Sequence, residues 1–190
     1  MRVRVALAEK GIKYESKEQN LLINKSRELL KANMVHKNVP VLIHEGKSIC
    51  ESLVIVEYLD EVWHEKSPLL PSDPYQRSQA RFWADYVNKK HTIVNTNIHY
   101  RKEGLDWKRR RSRGSKEIVD RILEDNGRSA WNRGDTNISF VDVALVPFAS
   151  WFYTYETWGN FSIEAECPKL IDWSRRCLEK ESVANSLPHP

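Results

Sequence analysis

One stretch of this chain alternates as a strand pair must. Val39-Pro40-Val41-Leu42-Ile43 leads into a polar turn, His44-Glu45-Gly46-Lys47, and Ser48-Ile49-Cys50 returns. β-branched residues flanking a glycine-containing turn specify a hairpin. Directly after it, Glu51-Ser52 opens a segment with Leu53, Val56 and Leu59 at helical spacing. Ser suits a helix start because its hydroxyl can satisfy an orphan amide there. Upstream, residues 2–10 read as a helix, with Val3 and Leu7 four apart and Gly11 placed to end it. Residues 12–17 are expected as a short strand and residues 26–34 as a helix. The order helix, strand, helix, hairpin, helix is the thioredoxin-like order with its first strand missing.

The pattern then changes. Ser67 to Pro74 contains Pro68, Pro71 and Pro74 and reads as a linker. Beyond it the periodicity is helical only. Residues 76–90 put Ala80, Trp83 and Val87 on one face. Residues 139–155 are strongly apolar and begin Ser139-x-x-Asp142, a capping-box arrangement in which hydroxyl and acid each take a backbone amide. Pro168 starts a last helix carrying Leu170, Ile171, Trp173 and Leu178. The expected division is 1–66 α/β, 67–75 linker and 76–190 all-helical. From spacing alone, Trp83, Phe148, Trp151, Phe152, Tyr155 and Trp158 read as core.

Bulk properties exclude several classes. Hydrophobic residues make up 41% of the 190, seven of them Trp, enough for a packed core. No run of about 18 apolar residues exists, so no membrane-spanning helix is expected. Met1-Arg2-Val3-Arg4 has a basic flank without an apolar stretch or small-residue cleavage site after it, so no secretory leader is expected. Three unpatterned cysteines, Cys50, Cys167 and Cys177, point to free thiols in a reducing compartment, hence the cytosol. The net charge is +4, but residues 101–133 hold 11 Lys/Arg against six Asp/Glu. The basicity therefore belongs to one segment. The basic run within it could be read as a nuclear-localisation or nucleic-acid patch, but that run lacks interleaved aromatics apart from Trp107, so no nucleic-acid partner is expected.

Several motifs resemble one family together. Met1 to Ile12 is similar to the first helix of plant tau-class glutathione transferases, and Val35-His36-Lys37-Asn38-Val39-Pro40-Val41-Leu42-Ile43-His44 to their glutathione-binding loop. Ile49-Cys50-Glu51-Ser52-Leu53 and Tyr58-Leu59-Asp60-Glu61-Val62-Trp63 resemble their third helix. Arg81 to Val87, Phe140 to Pro147 and Glu166-Cys167-Pro168 resemble parts of the second domain. The resemblance covers roughly 1–90 and 134–187. It implies the glutathione transferase fold: a thioredoxin-like domain, its first strand missing, followed by an all-α domain. It also implies an enzyme of plant detoxification and stress response. Glutathione is the co-substrate and no metal is involved. The thiol, activated to a thiolate by a hydrogen-bond donor, attacks a hydrophobic electrophile. A homodimer is implied as well.

The resemblance places glutathione on Lys25, Asn38, Val39, Glu51 and Ser52. Val39, before a cis proline, would offer its backbone to the cysteinyl part as an added strand. From the residues alone, Val39-Pro40 could equally begin an edge strand. Ser52, its neighbouring amides and the helix dipole would hold the γ-glutamyl carboxylate, and Glu51 the ammonium. A plain helix cap with an acid in its first turn is the alternative. Lys25 matches the position that reaches the glycyl carboxylate, with Lys37 a nearby competitor.

Two departures from the family are expected to matter. The family's catalytic Ser lies four residues before the position of Met1, so no catalytic residue is assigned in the chain, and family chains continue past Glu181-Ser182-Val183-Ala184 into a final helix. That opens a second reading, a non-catalytic protein binding glutathione or a hydrophobic ligand. Residues 91–131 replace two amphipathic helices with a segment containing Arg109-Arg110-Arg111-Ser112-Arg113. Back-translated, Ser115 to Trp131 read one nucleotide later gives an amphipathic helix, so a shifted reading frame is expected there.

Overall fold

The computed structural model describes residues 1–20, 25–99 and 137–187, the side chains of 90–99, 158 and 159 lying outside that description. The proposed frame shift at 115–131 and the arginine run fall outside it. The chain divides into two compact units, Met1–Pro68 and Leu69–Pro190.

The first unit begins with α1 (Arg2–Glu9), which buries Val5, Ala6 and Leu7. Its end is fixed by sequence. Gly11 takes φ +60°, and the amides of Gly11 and Ile12 donate back to Ala8 and Leu7 at 3.0 and 2.9 Å. A left-handed residue at that position lets two orphan carbonyls be satisfied, and glycine adopts it without a Cβ penalty. Residues 12–17 form no strand, contrary to expectation. A strand is defined by a hydrogen-bonded neighbour, and among the described residues the ladder comprises β1 and β2 alone.

α2 (Arg27–Ala32) is shorter than the 26–34 expected. Ser26 caps it, its hydroxyl accepting from the Leu29 amide at 3.1 Å. Leu29 is buried, whereas Leu30 is exposed. The hairpin follows: β1 (Val41–His44) pairs antiparallel with β2 (Lys47–Cys50), Val41 opposite Cys50 and His44 opposite Lys47. The loop is only Glu45-Gly46, and both take positive φ, 51° and 74°. That geometry matches the right-handed twist of the two strands.

α3 (Ser52–Val62) buries Ile55, Val56, Leu59 and Asp60. Its C-terminal end meets the Lys10 side chain, which is fully buried. The Lys10 ammonium donates to the carbonyls of Trp63, Lys66 and Ser67 at 3.2, 2.8 and 3.2 Å, and pairs with Asp60 Oδ1 at 2.8 Å. One buried cation thus ties the end of α1 to the end of α3, where the helix dipole also favours positive charge.

In the second unit, α4 (Pro74–His99) starts on a proline at its first position, with Asp73 Oδ1 accepting the Gln76 amide at 2.8 Å. Its Ala80, Trp83 and Val87 pack with Val141. α5 (Phe140–Leu145) carries the expected capping box: Ser139 and Asp142 each take the other's backbone amide. Asp142 does more than the pattern foretold, because its Oδ1 also accepts the Trp173 indole at 2.8 Å inside the core. Pro147 lies in a 3-10 turn, Val146–Trp151, before α6 (Phe152–Gly159). The expected single apolar helix over 139–155 is therefore split. The core reading of the aromatics holds for Trp83, 8% exposed, but not for Trp151, 45% exposed; Phe148, Phe152 and Tyr155 are half-buried. α7 (Ile163–Glu166), α8 (Pro168–Leu178) and α9 (Glu181–Ala184) complete the unit. In α8, burial and the nearby Asp142 push the Cys177 thiol far up, leaving it an inert core residue, and Cys50, Cys167 and Cys177 form no disulfide.

Candidate functional site

The hairpin register decides what can act together. Val41 faces Cys50, so the residues before β1 and those after β2 emerge at the same end. Val39-Pro40 and Glu51-Ser52 are consequently neighbours in the fold. The Val39-Pro40 peptide is cis. The ladder begins at Val41, and the Val39 backbone carries no hydrogen bond among the described residues. An exposed, unpaired main-chain donor and acceptor beside a strand can receive an extended peptide.

Across from it, α3 begins with its first backbone amides uncommitted among the described residues. The first intrahelical bond is Ile55 N–H to Glu51 O, 2.8 Å, so the amides of Ser52, Leu53 and Val54 have no protein acceptor among the described residues. Three free amides at a helix N-terminus favour an anion, here a carboxylate. The Ser52 hydroxyl does not cap the helix as the sequence suggested. It accepts instead from the half-buried Arg2 guanidinium at 3.1 Å, so a cation sits under the same pocket. Burial pushes the Arg2 pKa down to about 10, which still leaves it charged at neutral pH. Arg2 had no sequence signal beyond a position in the first turn of α1, fifty residues from its partner.

Glu51 sits in a sparsely populated backbone region, φ 69° and ψ 121°. A non-glycine residue held there carries strain of about 1–3 kcal/mol, and such residues gather at ligand sites. Its Oε1 pairs with His36 Nδ1 at 2.5 Å. Lys25 and Asn38 meet each other, Lys25 Nζ donating to Asn38 Oδ1 at 3.3 Å. Asn38 O in turn accepts from Asn33 Nδ2 at 3.0 Å, which places this pair on the other flank of Val39. Lys37, the competing cation, is exposed and takes φ 54°. All five expected residues therefore lie along one edge of the first unit: cation and amide, free backbone, carboxylate, hydroxyl over a helix N-terminus. Such an edge suits a short extended peptide with a carboxylate at each end and an ammonium near one of them.

The family model described as glutathione S-transferase, N-terminal domain, matches residues 1–61. The chain is 57% identical to a probable glutathione S-transferase, parA, of Nicotiana tabacum, the match covering 100% of this chain and 84% of that protein. It is 54% identical to glutathione S-transferase 3 of Glycine max, over 99% of this chain and 84% of that one. Among solved structures, a rice glutathione transferase in complex with glutathione superposes with a TM-score of 0.86 at 41% identity, covering 100% of this chain and 85% of that one. A tau-class glutathione S-transferase from mango, Mangifera indica, gives 0.84 at 35%, covering 99% and 87%.

Proposed function

The chain belongs to the glutathione S-transferase family, in its tau class, and from that premise we propose that it conjugates glutathione to hydrophobic electrophiles in the cytosol, as part of detoxification. The observation that carries the reading is the shared end of the hairpin, where the unpaired Val39 backbone lies beside the free first turn of α3. Glutathione fits that edge in one direction. Its cysteinyl amide and carbonyl exchange two hydrogen bonds with Val39, in the manner of an added strand. The γ-glutamyl carboxylate takes the Ser52 hydroxyl and the first-turn amides, with Arg2 adding charge from below. The ammonium goes to Glu51. At the opposite end the glycyl carboxylate takes Lys25 and the Asn38 amide.

Four polar anchors fix a flexible tripeptide, so the sulfur is held in one place before reaction. The chemistry is a displacement. The thiol gives up its proton to solvent water, the sulfur lone pair forms a bond to the electrophilic carbon, and the leaving group departs with its electron pair. We further take the chain to act as a homodimer, supported by the exposed Met34, Val35 and Val54 of the first unit, apolar surface suited to burial against a second copy. Light scattering would then give twice the chain mass.

The test is a conjugation assay of the 190-residue chain with chlorodinitrobenzene and glutathione, run beside binding to a glutathione resin. Turnover dependent on both substrates is the expected result. Retention without turnover would convert the enzyme into a glutathione-binding protein, and neither retention nor turnover would overturn the reading.

A further inference from the structure

The loop between α2 and the hairpin, residues 33–38, is closed by the backbone bond from Lys37 N–H to Asn33 O at 3.0 Å, tied at its end by Lys25 to Asn38, and braced from inside by one buried side chain. Asn33 is 5% exposed and uses both ends of its amide: Oδ1 accepts the His36 amide at 3.0 Å, and Nδ2 donates to Asn38 O at 3.0 Å. The loop has no apolar anchor of its own, since Met34 and Val35 are 75% and 83% exposed. Lys37 takes a left-handed φ. The position of His36 is thus imposed on the loop from inside by Asn33.

What that placement achieves is contact with Glu51. His36 Nδ1 lies 2.5 Å from Glu51 Oε1, with the two side chains 58% and 57% exposed. An exposed pair of this kind adds little to stability, about 0–1 kcal/mol. Its consequence is geometric. Glu51 has a strained backbone and an otherwise free carboxylate, whose Oε2 has no partner among the described residues. Left alone, the carboxylate would sample several rotamers, and a ligand would bear the cost of ordering it.

We propose that His36 is a positioning residue for substrate recognition: by holding Oε1 of Glu51 it presents Oε2 to the ammonium of the γ-glutamyl group, and Asn33 sets His36 at the distance this requires. The inference rests on the glutathione reading above and deepens it. Nδ1 can donate in the neutral ring as well as in the charged one, so the arrangement needs only the Nδ1–H tautomer. It makes His36 a determinant of selectivity for the free amine.

The test separates the two layers. The full chain, as wild type and as His36→Ala, His36→Asn and Glu51→Gln, is titrated calorimetrically with glutathione and with its des-amino analogue, glutaryl-cysteinyl-glycine. The wild type should prefer glutathione by about tenfold or more, the range of one charge-assisted hydrogen bond. Glu51→Gln should remove most of that preference. His36→Ala should lower it by about three- to tenfold while leaving affinity for the des-amino analogue unchanged. His36→Asn, whose amide nitrogen falls near Nδ1, should restore it, a rescue that mere loosening of the loop would not give. If Glu51→Gln loses the preference and His36→Ala keeps it, the inference is overturned and the glutathione site stands. Equal loss of both ligands in His36→Ala also overturns it, since His36 would then be a structural residue. An unchanged preference in Glu51→Gln overturns the glutathione reading itself.

Discussion

A glutamate at φ 69° and ψ 121° is held where its backbone does not choose to be. Glycine reaches that region without a Cβ penalty, whereas alanine keeps the penalty that glutamate has and, like glycine, lacks the carboxylate. Replacing Glu51 by Gly and by Ala therefore separates strain from function. Both variants should bind glutathione about tenfold more weakly or worse, because neither has an acceptor for the ammonium. Glu51→Gly should nevertheless be more stable than Glu51→Ala by about 1 kcal/mol, read as a higher urea midpoint at equal slope, after the greater unfolded-state freedom of glycine has taken back part of the relief. Equal midpoints would show that the strain is absorbed by neighbouring residues and is not a local property of this position.

At the level of elements, the first unit depends on the seam where α1 and α3 end together. Lys10 satisfies three carbonyls and a carboxylate on that seam at once. Lys10→Met keeps the length of the stem but takes the cation away from buried Asp60 and the ammonium away from the carbonyls of Lys66 and Ser67, while the Trp63 carbonyl keeps the Lys66 amide. The expected cost is about 3–5 kcal/mol, the range for breaking a buried pair from one side, measured by urea unfolding. A loss under about 1 kcal/mol would mean that water replaces the ammonium and that the seam is wet. The same seam shows what the sequence made legible and what it did not. Local rules were enough for the hairpin, for Gly11 ending α1 and for the Ser139–Asp142 box, because each depends on residues within a few positions of one another. The sequence did not foretell Lys10 with residues 60–67, Arg2 with Ser52, Asp142 with Trp173, or His36 with Glu51. Each joins positions brought together only by the fold, and periodicity carries no information about such pairs. Residues 12–17 were misread for a related reason: a β-like pattern makes a strand only where a neighbour supplies the ladder. At the site, the family motif singles out Lys25, Asn38, Val39, Glu51 and Ser52 as candidates, whereas Asn33, whose side chain bonds both His36 and Asn38, has no motif to announce it.

For the molecule as a whole, every residue expected to touch glutathione lies between 25 and 52, apart from Arg2 beneath Ser52, so all belong to the unit Met1–Pro68. Binding free energy is therefore delivered to one unit of the two. A ligand present at about 100 times its Kd stabilises the state that binds it by about 2.7 kcal/mol. Amide exchange shows where that stabilisation falls, because openings that break the site become rarer while openings elsewhere are untouched. The amides of Val39 and of Ser52 to Val54 have no protein acceptor among the described residues and should exchange quickly in the free protein. With saturating glutathione they acquire acceptors, the cysteinyl carbonyl for Val39 and the γ-glutamyl carboxylate for the first turn of α3. Their exchange should slow by about tenfold to a hundredfold. The interior of α8, around Trp173 and Cys177, should exchange at its former rate. Protection concentrated in α8 and missing from residues 39 and 52–54 would place the ligand in the wrong unit, and the assignment of glutathione to the hairpin edge would have to be withdrawn.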